Sequence, residues 1–304
     1  IRRSRSASAS SFMFSKARSN SSFLFSVLFT RENRPPESSV VNDVPVAGKT
    51  QAVLSLPDGR QVALGNEKEQ DTAWMKYVEA CTIESKATTE PADIKIEVAR
   101  GGEYKIRLED GTTVWLNSES SLIYPEKFTG DKRAVRLSGE GYFEVARDEK
   151  KPFIVSVTDM EIKVLGTKFN VTAYQDEKMT TTTLISGAVE VVTPHRSVQL
   201  QPGKQAMVQE GGDDITVLEV DVELATSWTA GIFKFDKMAL TDICTRLSRW
   251  YDIDFVFEGE TGKEKFTGGT WKYVPLKDFL SKIERVTNVL FLFENNTVKV
   301  VPKK

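Results

Sequence analysis

One histidine and two cysteines stand among 304 residues, and that scarcity excludes several kinds of chemistry. With His195 alone, neither a two-histidine metal motif nor a histidine-based zinc site can be built. A Ser-His-Asp triad would have to use His195, in "VVTPHRSV", and no nucleophile elbow lies near it. Cys81 and Cys244 are far apart and in no metal-type spacing, so neither a disulfide framework nor a zinc knuckle is written here. There is no GxGxxG and no GxxxxGK[ST], hence no phosphate cradle. The formal net charge of -2 lacks the basic excess that draws a protein to nucleic acid. Long apolar runs are missing too. The run Phe23–Phe29, "FLFSVLF", falls well short of the roughly 20 residues a spanning helix needs. Acidic pairs such as Glu140/Glu144 and Asp213/Asp214 occur, but a chain with 43 acids makes such pairs by chance. No catalytic residue, metal ligand or cofactor is assigned.

What is present divides the chain. Residues 1–43 are rich in Ser and Arg and read as a disordered or non-native tail, superficially like an organellar transit peptide. Residues 44–99 read as a β-hairpin followed by a linker. The hairpin is "KTQAVLSLPDGRQVAL", alternating around Asp58-Gly59. An Asp-Gly pair between alternating runs suggests a type I′ turn, in which both central residues need φ > 0. The device recurs at Asp110-Gly111, 52 residues on. The charged stretch "NEKEQDTAWMKYVEACTIESKATTEPAD" between them reads as a loop with one short helical turn.

Residues 100–223 read as strands throughout, short and rich in β-branched and aromatic residues, with Gly, Pro or charged pairs between them. That spacing predicts an all-β sandwich, barrel or solenoid. In "IKVLGTKFNVTAY", Ile162, Val164, Phe169, Val171 and Ala173 would share one face, with Gly166 at a bend or bulge.

After Trp228 the period switches, and one sentence is written twice. "MALTDICTRLSRWYDIDFVFE" (Met238–Glu258) and "VPLKDFLSKIERVTNVLFLFE" (Val274–Glu294) are offset by 36 residues. Leu240, Ile243, Cys244, Leu247 and Tyr251 form one helical stripe; Leu276, Phe279, Leu280, Ile283 and Thr287 match it. Each helix is flanked by β-like pieces, so 229–304 is predicted to be a small α+β domain of two βαβ units. Neither unit can bury its faces alone, whereas two packed together can. Asp242 and Asp278 fall in the first helical turn, and Arg249 and Arg285 near the last, as the helix dipole favours.

The segments "LEDGTTVWLNSES", "LSGEGYFEVA", "KPFIVSV" and "VLGTKFNV", in that order, together with "TTLISGAVEV" and "QLQPGKQAMV", resemble the FecR-type family of transmembrane anti-sigma regulators. The tail "SWTAGIFKFDKMALTDICTRLSRWYDIDFVFE" is similar to the short N-terminal domain of secretins and TonB-dependent receptors, a two-fold βαβ. The resemblance covers about 45–304 and implies a periplasmic sensor region, not an enzyme. It implies two partners. One is the signalling domain of a TonB-dependent outer-membrane transducer carrying an iron chelate or glycan. The other is an extracytoplasmic-function sigma factor, held through an N-terminal segment missing here. It also implies placement at the periplasmic face of the inner membrane, through a single-pass anchor that this chain does not contain, and release of the sigma-binding segment by proteolysis.

A βαβ domain leaves strand edges, and an edge can accept a partner strand. The expected partner-binding residues are Phe233 and Phe235 in "FKFDK", and Phe266, Gly268, Gly269 and Trp271 in "KFTGGTW". The competing reading is a carbohydrate-binding or hydrolytic periplasmic β protein, with Trp115, Trp228, Trp250, Tyr251, Trp271 and Tyr273 as its face.

Overall fold

The computed structural model describes residues 47–65, 93–158 and 160–303, with the backbone of Phe25–Ser26 (β1). The loop expected between Asn66 and Asp93 lies outside them. The first unit begins with Lys49–Thr50 (β2), Ala52–Ser55 (β3), Gln61–Leu64 (β4), Asp93–Val98 (β5), Gly102–Arg107 (β6), Thr113–Leu116 (β7), Ser120–Pro125 (β8) and Arg133–Glu144 (β9). It continues with Phe153–Val157 (β10), Met160–Val164 (β11), Lys168–Ala173 (β12), Met179–Ser186 (β13) and Val189–Val192 (β14). Ser197–Leu200 (β15), Lys204–Gln209 (β16) and Ile215–Glu219 (β17) complete it.

Both Asp-Gly pairs close hairpins, β3–β4 and β6–β7, but not by the expected turn. Only the glycines are left-handed, Gly59 and Gly111 each at φ 85°. Pro57 holds φ negative at the first turn position, which rules out type I′. The hydrogen bonds are those of a type I turn closed by a left-handed glycine. Leu56 N–H donates to Arg60 O at 2.9 Å and Gly59 N–H to Leu56 O at 3.0 Å. Asp58 and Asp110 each accept the N–H of the residue two places on, at 2.9 Å.

β9 joins the two layers. The sequence reads as two strands, "RAVRLSG" and "GYFEVA", but one 12-residue strand runs across the break between them. Its first part pairs with β8 and, in parallel, with β10; its second part pairs with β7 and β12. One layer is therefore β4-β3-β5-β8-β9-β10-β11-β14-β15, and the other β2-β6-β7-β9-β12-β13-β16-β17. A strand that switches sheets needs a bend. Gly139 supplies it at φ 91°, where a Cβ would come within 2.7 Å of Glu119 O and the Ser120 Cα. The two inner faces share one core, which includes Ile162, Val164, Phe169, Val171 and Ala173. Gly166 marks a bend for another reason: a Cβ there would meet Arg147 Cα at 2.7 Å.

A short helix, Val222–Thr226 (α1), and a 3-10 turn at Ser227–Ala230 lead into the second unit. Its order is Ile232–Ala239 (β18), Leu240–Tyr251 (α2), Asp254–Phe257 (β19), Lys265–Trp271 (β20), Leu276–Val286 (α3), Val289–Glu294 (β21) and Thr297–Pro302 (β22). The doubled sentence is β18-α2-β19 and β20-α3-β21. β22 is an additional strand, paired in parallel with β19 and antiparallel with β21. The helical stripes face inward: Leu240, Ile243, Cys244, Leu247, Leu276 and Leu280 are almost wholly buried. Burial of Cys244 among apolar neighbours pushes its thiol pKa far up, so it behaves as a small hydrophobe.

Candidate interaction site

β18 and β20 pair antiparallel with each other, matching Ile232 with Trp271, Phe233 with Thr270 and Phe235 with Gly268. The three phenylalanines expected to meet a partner are core residues instead: Phe233, Phe235 and Phe266 are at most 6% exposed. Phe233 stacks on Phe235, which packs against Phe279 of α3. Alternation turns these side chains toward the helices, so they support the ribbon from beneath. What the ribbon leaves at its surface is backbone. Gly268 and Gly269 are half-buried although they carry no side chain, and Gly268 sits at φ 152°, where other residues are strained. The edge of β20 away from β18 takes β1 in parallel, Phe25 opposite Phe266 and Ser26 opposite Thr267. That pairing covers the Phe266–Thr267 end of the edge, and Gly268 and Gly269 form no strand pairing on that side with a described residue.

β20 ends against the first unit, and two buried cations tie the units together. Lys272, the residue after β20, has a fully buried side chain. Its ammonium lies 2.7 Å from a Glu103 carboxylate oxygen on β6 and 3.8 Å from the Trp250 ring centroid. Desolvation lowers the Lys272 pKa from its ordinary value, with Glu103 opposing. Tyr273 donates its hydroxyl to the other Glu103 oxygen at 2.9 Å.

Arg249 is the second tie. The dipole argument treats it as a helix-end surface cation, but it is 4% exposed. It reaches out of α2 to Asp176 and Glu177 at 2.6 Å each and to Glu119 at 3.3 Å, stacked 3.6 Å over Tyr174. Burial raises the Glu177 carboxyl pKa above its ordinary value, with Arg249 and Arg246 opposing. Arg100 adds contacts to Asp254, at 2.9 Å, and to the Ile253 carbonyl. Trp228 donates from Nε1 to Asn170 Oδ1 at 3.1 Å.

Between the units lies a cavity of about 240 Å³, lined by Glu140, Thr172, Tyr174, Trp228, Met238 and Arg246 among others. Glu140 at its wall already accepts from Asn117, Asn170 and Thr172, at 2.8, 3.0 and 3.3 Å. The aromatic residues considered for a sugar face do not make one exposed surface. Trp228, Trp250 and Tyr251 are buried, whereas Trp115 packs edge-on against Tyr142 in the first unit. Among the described residues, no group of three or more His, Cys, Asp or Glu side chains is placed to hold a metal ion. No helix among them is long and apolar enough to cross a membrane. His195 is exposed, 3.7 Å from Asp213.

Comparison with known proteins gives consistent matches over both units. The FecR protein family matches residues 94–190, and the family described as FecR, C-terminal, matches residues 232–300. Two crystal structures of a protein assigned as an anti-sigma factor from Parabacteroides distasonis ATCC 8503 align with the chain at 30% identity. Their TM-scores are 0.64 and 0.65; the alignments cover 69% and 70% of this chain and 99% and 100% of theirs. No curated protein matches significantly.

Proposed function

Because the chain belongs to the FecR-type anti-sigma factor family, a family of regulators and not of enzymes, we propose that it is the periplasmic sensor region of such a regulator. In this reading the second unit binds the signalling domain of a TonB-dependent outer-membrane transducer. The transducer reports uptake of an iron chelate or a glycan, and the regulator relays that report to an extracytoplasmic-function sigma factor across the inner membrane. The observation that carries the binding step is the edge of β20. It presents backbone at Gly268 and Gly269, sits on a ribbon braced from below by phenylalanines, and pairs with a strand at its Phe266–Thr267 end. Strand addition there supplies main-chain hydrogen bonds, and flanking side chains set specificity. A glycine pair suits such an edge because it lets an incoming backbone approach closely.

A pull-down from periplasmic extract with the chain as bait, read by mass spectrometry, identifies the partner. The expected result is enrichment of one TonB-dependent outer-membrane transducer. Recovery of no transducer by a well-folded bait, with soluble glycan retained instead, contradicts the reading and favours a carbohydrate-binding protein.

A further inference from the structure

The other sheet of the second unit ends on β21, and one side chain closes that strand's outer side. The strand reads "VLFLFE" (Val289–Glu294), with no glycine, no proline and no charge before its last residue. Such a strand at a sheet edge is prone to pair with a copy of itself. Its even-numbered residues bond inward, to β22. Asn288 O, just before the strand, accepts from Lys303 N–H at 2.9 Å, and Pro302, which has no N–H to offer, stands opposite Val289. The odd-numbered residues therefore turn their N–H and C=O groups outward. Phe291, at the centre of that outer edge, donates its N–H to the carboxylate of Glu284 on α3 at 2.7 Å. No strand pairs with this edge among the described residues. Leu290 and Leu292, on the solvent face of the sheet, are 36% and 46% exposed.

Two copies of β21 laid antiparallel about Phe291 match without opposing like charges along the strand. In that register Phe291 faces Phe291 and Val289 faces Phe293, so the outward groups of both strands meet and complete a ladder. Leu290 falls opposite Leu292 in a closely spaced pair without hydrogen bonds of its own. The one acid of the strand, Glu294, is held by Lys299 at 2.7 Å and falls opposite Asn288. What opposes this pairing is Glu284. Its carboxylate takes the central donor, and the two-fold axis at Phe291 would bring the carboxylates of both copies together, out of water. We infer that Glu284 guards the edge of β21 against a second copy of the chain, and that the strand is a self-association surface once this carboxylate is removed. The inference is independent of which partner meets β20.

Sedimentation equilibrium of the whole chain over a range of protein concentrations tests this. The unaltered protein is expected to stay monomeric. Glu284→Ala frees the Phe291 N–H and removes both charges, so self-association tightens by at least about tenfold, toward a species of twice the monomer mass. Glu284→Gln keeps an acceptor without the charge and falls between the two. Adding Leu292→Glu to Glu284→Ala sets a carboxylate against Leu290 of the other copy and restores the monomer. The register is read separately, with Cys81→Ser throughout. Glu284→Ala/Leu290→Cys mixed with Glu284→Ala/Leu292→Cys forms an intermolecular disulfide faster than either alone. A Glu284→Ala chain that stays monomeric with thermal unfolding unchanged overturns the inference, as does a dimer that survives Leu292→Glu. So does an unaltered chain that already pairs and that Leu292→Glu separates. If Glu284→Ala does not fold, Glu284→Gln carries the test, and association no tighter than in the unaltered chain overturns the inference.

Discussion

Lys272→Met is expected to lower stability by roughly 3 kcal/mol, the low end of the cost of breaking a buried ion pair. The methionine keeps the stem packed on Trp250, so the loss is one of charge. Glu103 is left with 20% of its side chain exposed and its cation gone, which is why the low end applies. Attraction of the buried ammonium to the Trp250 ring goes too. Adding Glu103→Gln removes the orphaned charge while keeping an acceptor for Tyr273, and restores a good part of the loss. Urea unfolding of the three proteins at equal slope checks this. An unchanged midpoint in the single variant would mean that the ion pair contributes nothing net.

Trp250→Ala is expected to cost about 4 kcal/mol, within the range for emptying a large aromatic from a core. Trp250 is 1% exposed and packs where three segments meet. A Cβ on Gly48 would meet its ring at 2.6 Å, the Lys272 ammonium covers one face, and Tyr273 meets it edge-on at 5.7 Å. Its Nε1 hydrogen bond to the Lys272 carbonyl is also lost. The cavity therefore loosens the second core and the junction between units together. Thermal unfolding should fall by at least 8 °C, taking about 2 °C per kcal/mol for chains of this size. A fall of only 1–2 °C would mean that the site collapses to fill the space.

How much of this was legible follows from where each signal is written. Period carries the helices and strands, so the stripe from Leu240 to Tyr251 and the alternation from Ile162 to Ala173 were readable locally. The doubled sentence disclosed the second unit because its two copies must bury matching faces. The strand β22 was missed, although Val298 and Val300 alternate, because it lies beyond the second copy. β9 was split because Gly139 and Gly141 look like a turn, whereas Gly139 bends a continuous strand between layers. Pro57 does argue against a type I′ turn, but an Asp-Gly pair points to one more strongly. Arg249 and Lys272 could not be found at all. Each reads as an ordinary cation on its own element, and Glu103 lies 169 residues before Lys272. Period-2 alternation also puts Phe233, Phe235 and Phe266 on one face of their strands, without saying whether that face meets a partner or a helix.

The central claim is that the transducer adds a strand along β20. Prolines placed singly at Gly269 and Thr270 test it most directly, with calorimetry against the purified signalling domain. Neighbouring residues of a strand aim their N–H groups at opposite sides, so one of the two prolines strikes the β18 ladder and the other the outer edge. The account predicts that the proline which leaves thermal unfolding nearly unchanged weakens binding at least about tenfold, or 1.4 kcal/mol. Leu292→Glu, on the exposed face of the other sheet, should leave affinity alone. Full affinity in both proline variants, or loss on Leu292→Glu alone, would contradict the account and move the partner to the β19-β22-β21 sheet.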